Sequence, residues 1–387
     1  MAYSRSRPVQ SGEIDYLGDH MSAPAVPLNA ANRYAHIDAM RAFAVMLVVI
    51  AHAGYGGVIP GGSGVTIFFS ISGFIITYLL LKERDKTGGF SASGFYFRRA
   101  LKIMPPLLIA IILPTLIHAR WANIQWTDFL AQVFFLFNWL KARGDSIEVL
   151  PGTEVVWSLS IEEQFYIVFA LVWLLAVRTR HWRAVITGLA VLGVVYSTVS
   201  RMIFASLPDM GDRIYYGSDT RLDGIAMGVL TAIGYHYWQS REGSLLTASP
   251  LLGRDSILVA AVLLYLVSLL IRDEWFRDTL RFSVQSIAAC AVIVYGLLPG
   301  NGRLRGPFIA VSQWRVVSLL GLASYSIYLV HFVVAKFIRE FFTLPADIEG
   351  ALSIGLGTGL GIMLYELVEV PVRQYGQAIR KRQEVLA

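Results

Sequence analysis

Apolar runs of 17 to 23 residues recur along most of this 387-residue chain. A helix needs about 20 such residues to cross roughly 30 Å of hydrocarbon. No water is available there, so every backbone polar group must be satisfied within the segment, and runs of this length select helices. Ten spans are read, at roughly 37–55, 65–82, 101–118, 157–177, 183–204, 222–238, 255–271, 282–299, 316–338 and 348–370. A shorter stretch, 127–140, contains Phe134, Phe135, Phe137 and Trp139. It is too short to span and is expected to be interfacial or re-entrant. The expected fold is an all-α polytopic integral membrane protein with about ten transmembrane helices and one such short segment.

Composition removes several other classes. Charged residues make up 16% of the chain, against about 25% in soluble domains. The single cysteine, Cys290, excludes a disulfide framework and a cysteine-based metal site. The net charge of +6 comes with no nucleic-acid motif and reads as loop bias in a membrane protein. Residues 1–32 are rich in Ser, Pro, Gly and Asp and lack the apolar core of a signal peptide. They are expected to form a disordered cytosolic arm, with a transmembrane domain over 33–375 and a cytosolic tail over 376–387. If the N-terminus lies inside and ten helices alternate, 22 of the 33 Lys and Arg residues fall on the inner side. The positive-inside rule therefore favours two cytoplasmic termini. If 127–140 spanned instead, the Arg178–Arg183 cluster would face outward.

Charges within spans cost about 2.5 to 3.5 kcal/mol each on insertion scales, so each needs a partner, a cavity or a role. The first helix carries Asp38, Arg41 and His52. Arg41 and His52 are separated by eleven residues, about 16 Å of axis and close to three turns, and so share one face. They are either an anchor and a packed histidine or a cation and a titratable group on one functional face. Ser72 and Gly73 sit in a small-residue segment suited to helix contact or to lining a cavity beside His52. Glu162 and Glu163 open a long apolar run after Trp157. They point about 100° apart, so one can face a cavity while the other caps the helix. Gln164 and Tyr166 lie deeper, where capping does not explain them. Ser324, Tyr328 and His331 form a polar stripe, with Tyr325 on the adjacent face. Arg98, Arg99 and Lys102 precede Pro105-Pro106, as membrane anchors or as a phosphate site.

Taken together, these segments resemble the acyltransferase-3 family of membrane acyltransferases, which includes bacterial O-antigen, exopolysaccharide, Nod-factor and peptidoglycan O-acetylases and macrolide acyltransferases. The pieces are Asp38-Ala39-Met40-Arg41 with His52, Phe68 to Phe74, Phe97 to Pro105, Trp157 to Tyr166 and Ser324 to His331. Their order over about residues 33–375 is the specific signal. The chain departs from the family at Thr66, where Asp is common, and at Lys102, where Arg is common. No SGNH-type esterase domain, which some members carry, is expected after the tenth span.

The resemblance implies a reaction. Arg41, Arg98, Arg99 and Lys102 would hold the phosphates of cytosolic acyl-CoA, acetyl-CoA being the expected co-substrate. The pantetheine arm would thread inward to His52, the expected general base. Glu162 would orient His52, in the outer half of the membrane with Glu163 and Tyr166. His331 is a reserve catalytic candidate, and an acyl-histidine intermediate stays open beside direct transfer. Ser72, Trp157, Arg221, Asp223 and Tyr325 are expected to contact substrate, with no metal. The acceptor would be a glycan or sugar-bearing hydroxyl at a bacterial inner membrane, among membrane lipids and polysaccharide-assembly proteins. A transporter or flippase for a lipid-linked sugar is the alternative, and a non-catalytic scaffold the third reading.

The topology has a direct check. In a Cys290→Ser background, Thr179→Cys in the expected inner loop should resist membrane-impermeant maleimide in intact cells and react after permeabilisation. Labelling in intact cells would reverse the topology.

Overall fold

The computed structural model describes residues 34–240, 255–299 and 302–386. The expected arm over 1–32 lies outside them. In chain order the helices are α1 (Ala35–Tyr55), α2 (Gly61–Thr87), α3 (Ala92–His118), α4 (Trp126–Val133), α5 (Phe137–Ala142) and α6 (Val156–Ala176). Then come α7 (Trp182–Phe204), α8 (Gly211–Tyr216), α9 (Ser218–Ser240), α10 (Asp255–Leu270), α11 (Glu274–Asp278) and α12 (Arg281–Leu297). Finally there are α13 (Arg305–Gln313), α14 (Arg315–Leu322), α15 (Ser324–Phe341) and α16 (Ala346–Ile379). No strand occurs among the described residues.

Each expected span coincides with a helical segment, but they are not alike. Six are long and apolar enough to cross a membrane: α1, α2, α3, α7, α16 and the segment Thr153–Ala176 that includes α6. The helices α10 and α12 are apolar but shorter, at 16 and 17 residues, or about 24 and 26 Å of axis. Helix α9 is long enough but opens with Asp219, Arg221 and Asp223. The stretch 127–140 folds as the short helices α4 and α5, broken at Phe135 in the left-handed region (φ 57°). Neither can span on its length.

The expected continuous span at 316–338 is instead a bent pair, α14 and α15, meeting at 75°. The bend is held from outside. Arg41 Nε donates to the Gly321 carbonyl and to Ser324 Oγ, at 3.2 and 3.1 Å. A carbonyl freed by the break thus receives a charged donor, as a broken helix in a low-dielectric bundle requires.

Helix α1 sits at the centre, against α2, α12, α13, α14, α15 and α16. Its Val45, Val48 and Val49 join Phe69, Trp157, Ile225, Ile327 and Tyr328 in one apolar core. Large apolar side chains such as Val168, Leu171, Leu175, Leu192 and Val195 face outward from α6 and α7. In an integral membrane protein such a belt meets lipid.

Small residues set the closest approaches. A Cβ on Gly73 would lie 2.0 Å from the Ile225 carbonyl oxygen, and one on Gly228 would lie 2.2 Å from that of Ser70. Helices α2 and α9 therefore touch backbone to backbone. Gly361 likewise lets α16 lie against Ile327 of α15, where a Cβ would come within 2.4 Å of its Cα. Replacing Gly73 with Ala forces α2 and α9 apart. The thermal midpoint of the purified protein should fall by the equivalent of about 1 to 3 kcal/mol, and an unchanged midpoint would contradict this packing.

Candidate active site

His52 lies in a π-helical turn, Ala51–Tyr55, at the end of α1. Single π turns inside α-helices frequently mark functional positions. The turn stops at Gly54, whose φ of 110° excludes most side chains. Arg339 then secures the end. Its Nη2 donates to the His52 carbonyl at 3.0 Å, and its Nε donates to Glu349 at 2.6 Å.

The imidazole of His52 pairs with that of His331, Nδ1 to Nε2, at 3.0 Å. His331 Nδ1 faces the carbonyl oxygens of Tyr328 and Ile327, at 2.8 and 3.2 Å. A carbonyl can only accept, so this nitrogen carries a hydrogen. In the neutral pair His331 Nε2 is then the acceptor and His52 Nδ1 the donor. That tautomer leaves the lone pair on His52 Nε2, the nitrogen not engaged by His331. The ring of Phe332 packs on His52 with centroids 4.2 Å apart and holds its plane.

His52 lines a cavity of about 450 Å³ with Trp157, Tyr215, Tyr216, Phe282 and Tyr328. Trp157 meets Tyr215 and Tyr216 at ring-centroid distances of 5.2 and 5.0 Å. Tyr328 is a wall shared with a second, narrower cavity of about 100 Å³. Its hydroxyl is fixed between Ser158 Oγ at 2.8 Å and the Val155 carbonyl at 3.0 Å.

The narrow cavity holds Ser72, Glu162, Tyr166, Tyr325, Arg99 and Lys102. Glu162 is expected to orient His52, but it accepts from Ser72 at 2.8 Å and from Tyr166 at 2.9 Å. The orienting partner of His52 is His331 instead. Nor do these acidic residues belong beside His52. Arg99 pairs with Glu163 at 2.8 Å and lies 3.4 Å from the centroid of the Tyr166 ring. The reason is the direction of α6. Trp157 reaches the His52 cavity, and five residues later, about 7.5 Å along the axis, Glu162 is already among the cations. Tyr325 donates to the Ile103 carbonyl at 3.0 Å and ties α15 to α3.

Arg41 and Lys102 also line a third cavity, of about 530 Å³, with Arg98, Glu369 and Arg373. The four expected cations are thus not equivalent. Arg98 pairs with Glu83 at 2.9 Å on the surface, and Arg99 is committed to Glu163. Lys102 makes no hydrogen bond or ion pair with the described residues and opens onto both cavities.

Two residues expected to contact substrate, Asp223 and Arg221, line none of the three cavities. Asp223 and Arg201 form a buried ion pair at 2.8 Å, both at most 1% exposed. Ser283 donates to Asp223 at 2.6 Å, and Arg201 also donates to the Thr279 and Thr220 carbonyls. Arg221 is buried behind the Trp157 cavity wall, bonded to Thr66 Oγ1 at 2.9 Å and 3.9 Å from the Phe282 ring centroid. Among the described residues no group of three or more His, Cys, Asp or Glu is arranged to hold a metal.

Residues 34–365 match the acyltransferase domain family. The chain belongs to the acyltransferase-3 family. The Staphylococcus aureus (strain COL) protein SACOL0978 is 29% identical over 356 residues, 88% of this chain and 57% of that protein. O-acetyltransferase OatA of Staphylococcus aureus (strain NCTC 8325 / PS 47) is 27% identical over 354 residues, with the same coverage of each. The chain therefore spans somewhat over half the length of these relatives. No solved structure matches it.

In this acyltransferase-3 chain, several site residues were not singled out by sequence reasoning. Tyr328 belongs to a visible stripe, but its place between two cavities is a tertiary fact. Phe332, Tyr215, Tyr216, Glu369, Arg373 and Arg339 carry no local signal. Arg339 in particular reaches back 287 residues to His52. The Arg201–Asp223 reading has its own check. Asp223→Ala leaves a buried cation unpaired and should destabilise the protein by about 3 to 5 kcal/mol. A variant as stable as wild type in a thermal melt would return Asp223 to a direct site role.

Proposed function

We propose that the chain is a membrane O-acyltransferase that moves an acetyl group from cytosolic acetyl-CoA to a hydroxyl of a glycan or sugar-bearing acceptor, with His52 as general base. The observation that carries the reading is the row of three cavities sharing their lining residues. Arg41 and Lys102 join the first to the second, and Tyr328 joins the second to the third. The axis of α1 from Arg41 to His52 measures about 16 Å, within the reach of an extended pantetheine arm.

On this reading Lys102, Arg373 and the remaining nitrogens of Arg41 hold the donor's phosphates. The thioester passes the Glu162–Tyr166 cavity and reaches Tyr328. At the His52 end the acceptor hydroxyl gives its proton to His52 Nε2 as its oxygen bonds the thioester carbonyl carbon. The carbon–sulfur bond breaks, CoA leaves as thiolate, and the imidazolium returns the proton to it. The His331 hydrogen bond keeps the base in the required tautomer and orientation, the part a carboxylate usually plays. The name of the relative O-acetyltransferase OatA supports acetyl as the group. The charge bias supports two cytoplasmic termini, and the likeness to bacterial acyltransferases supports a bacterial inner membrane.

With detergent-purified protein and acetyl-CoA, His52→Ala should lower CoA release by roughly 10²- to 10⁴-fold, the usual worth of a general base. It should still bind the donor. Lys102→Ala should raise the KM for acetyl-CoA with a smaller effect on kcat. Normal turnover in His52→Ala would end the proposal.

A further inference from the structure

We infer that the acceptor held in the His52 cavity is anionic: a sugar bearing a carboxylate or a phosphate. This rests on the acyltransferase reading of the same cavity and adds the charge class of its second substrate.

Three arginines, Arg272, Arg277 and Arg281, line the His52 cavity, and none of them lines the cavities that Lys102 opens onto. None of their guanidinium groups makes a salt bridge or a hydrogen bond with the described residues. The same segment carries Asp273, Glu274 and Asp278, but none of them lines the cavity. Asp273 is occupied as the cap of α11, accepting from the Phe276 N–H at 2.7 Å. Asp278 acts electrostatically on Arg277 and Arg281 without forming an ion pair with either, and the cavity lining holds three arginines and no carboxylate.

A fourth cation stands behind the wall. Arg221 is 1% exposed, and its partners are a hydroxyl, Thr66 Oγ1, and the Tyr215 carbonyl. Asp223, which acts on it electrostatically, is engaged by Arg201. Arg221 packs on Phe282, Tyr215 and Trp157, at centroid distances of 3.9, 5.2 and 5.9 Å, and all three rings line the cavity. A buried cation without a carboxylate partner is costly in a low-dielectric bundle. Its field crosses one ring thickness into the cavity. An anion bound there would offset that cost and pair with the rim arginines, whose planar fork matches carboxylate and phosphate.

Charge placement gives the same direction. On the topology with both termini inside, residues 272–281 lie on the outer face, where loops ordinarily hold few cations. Three arginines around one cavity there need a ligand-side reason. The rings of Trp157, Tyr215 and Tyr216 supply apolar faces for a sugar, and the arginines supply its counter-charge.

The test uses binding to the detergent-purified full chain without donor, by titration calorimetry. A neutral glucose trisaccharide is compared with the corresponding triglucuronate and with the trisaccharide 1-phosphate. At low salt at least one anionic sugar should bind roughly tenfold or more tightly than the neutral one, and salt should shrink the advantage. Whichever anion binds better identifies carboxylate or phosphate as the recognised group. Arg277→Gln combined with Arg281→Gln should abolish the advantage, and Arg277→Lys should keep most of it. Equal or weaker binding of both anions overturns the inference, as does an advantage that survives the double substitution. CoA release is read separately, so a protein that hydrolyses or transfers nothing fails the acyltransferase reading while this comparison still reports the ligand's charge.

Discussion

The hydrogen bond between His52 and His331 fixes more than two rings. It joins the end of the first helix to a helix nearly 300 residues later, and it runs between chains pointing the same way. Arg41 meets Ser324 at one level, and His52 meets His331 further along both. Parallel neighbours of this kind require an even number of reversals between them, so the pair constrains the topology of everything in between. It also sets the chemistry. The two carbonyls on His331 Nδ1 decide its tautomer, that tautomer decides the one on His52, and the outcome is a basic nitrogen left to the cavity.

The second organising constraint is the hydrocarbon that surrounds the bundle. A bent helix exposes carbonyls, and in hydrocarbon these need donors. Arg41 serves the break between α14 and α15, and Arg339 serves the π turn at His52. Both arginines therefore stabilise irregular backbone beside the site. The Arg201–Asp223 pair does comparable work away from it, between α7, α9 and α12. Where a cation lacks such a partner, as at Lys102 and along Arg272–Arg281, a cavity is beside it.

Much of the fold was legible because hydrocarbon thickness imposes run lengths on the sequence. The polar residues of the site were legible for the same reason, since Arg41, His52, Glu162 and His331 stand out against apolar neighbours. Their pairing was not. Glu162 was expected beside His52 because both were assigned to the outer half. Helical rise carries Glu162 past that level to Ser72, Tyr166 and the Arg99 layer. The bend at Ala323 was hidden because 316–338 is continuously apolar enough to read as one helix. The bend sits where α14 meets α1 backbone to backbone: a Cβ on Gly321 would lie 2.0 Å from the Asp38 carbonyl oxygen. A close contact between distant segments leaves no trace in local periodicity. Arg98 and Arg99 looked equivalent in sequence, yet one pairs on the surface and the other is held between Glu163 and Tyr166.

The central claim is that donor and acceptor meet from opposite ends of α1. Vectorial transfer in proteoliposomes tests it most directly. Radiolabelled acetyl-CoA is sealed on the side of Lys102 and Arg373, and a membrane-impermeant acceptor is supplied on the side of His52. The account predicts labelled acceptor outside with CoA retained inside. Label that appears only on acceptor enclosed with the donor would contradict it.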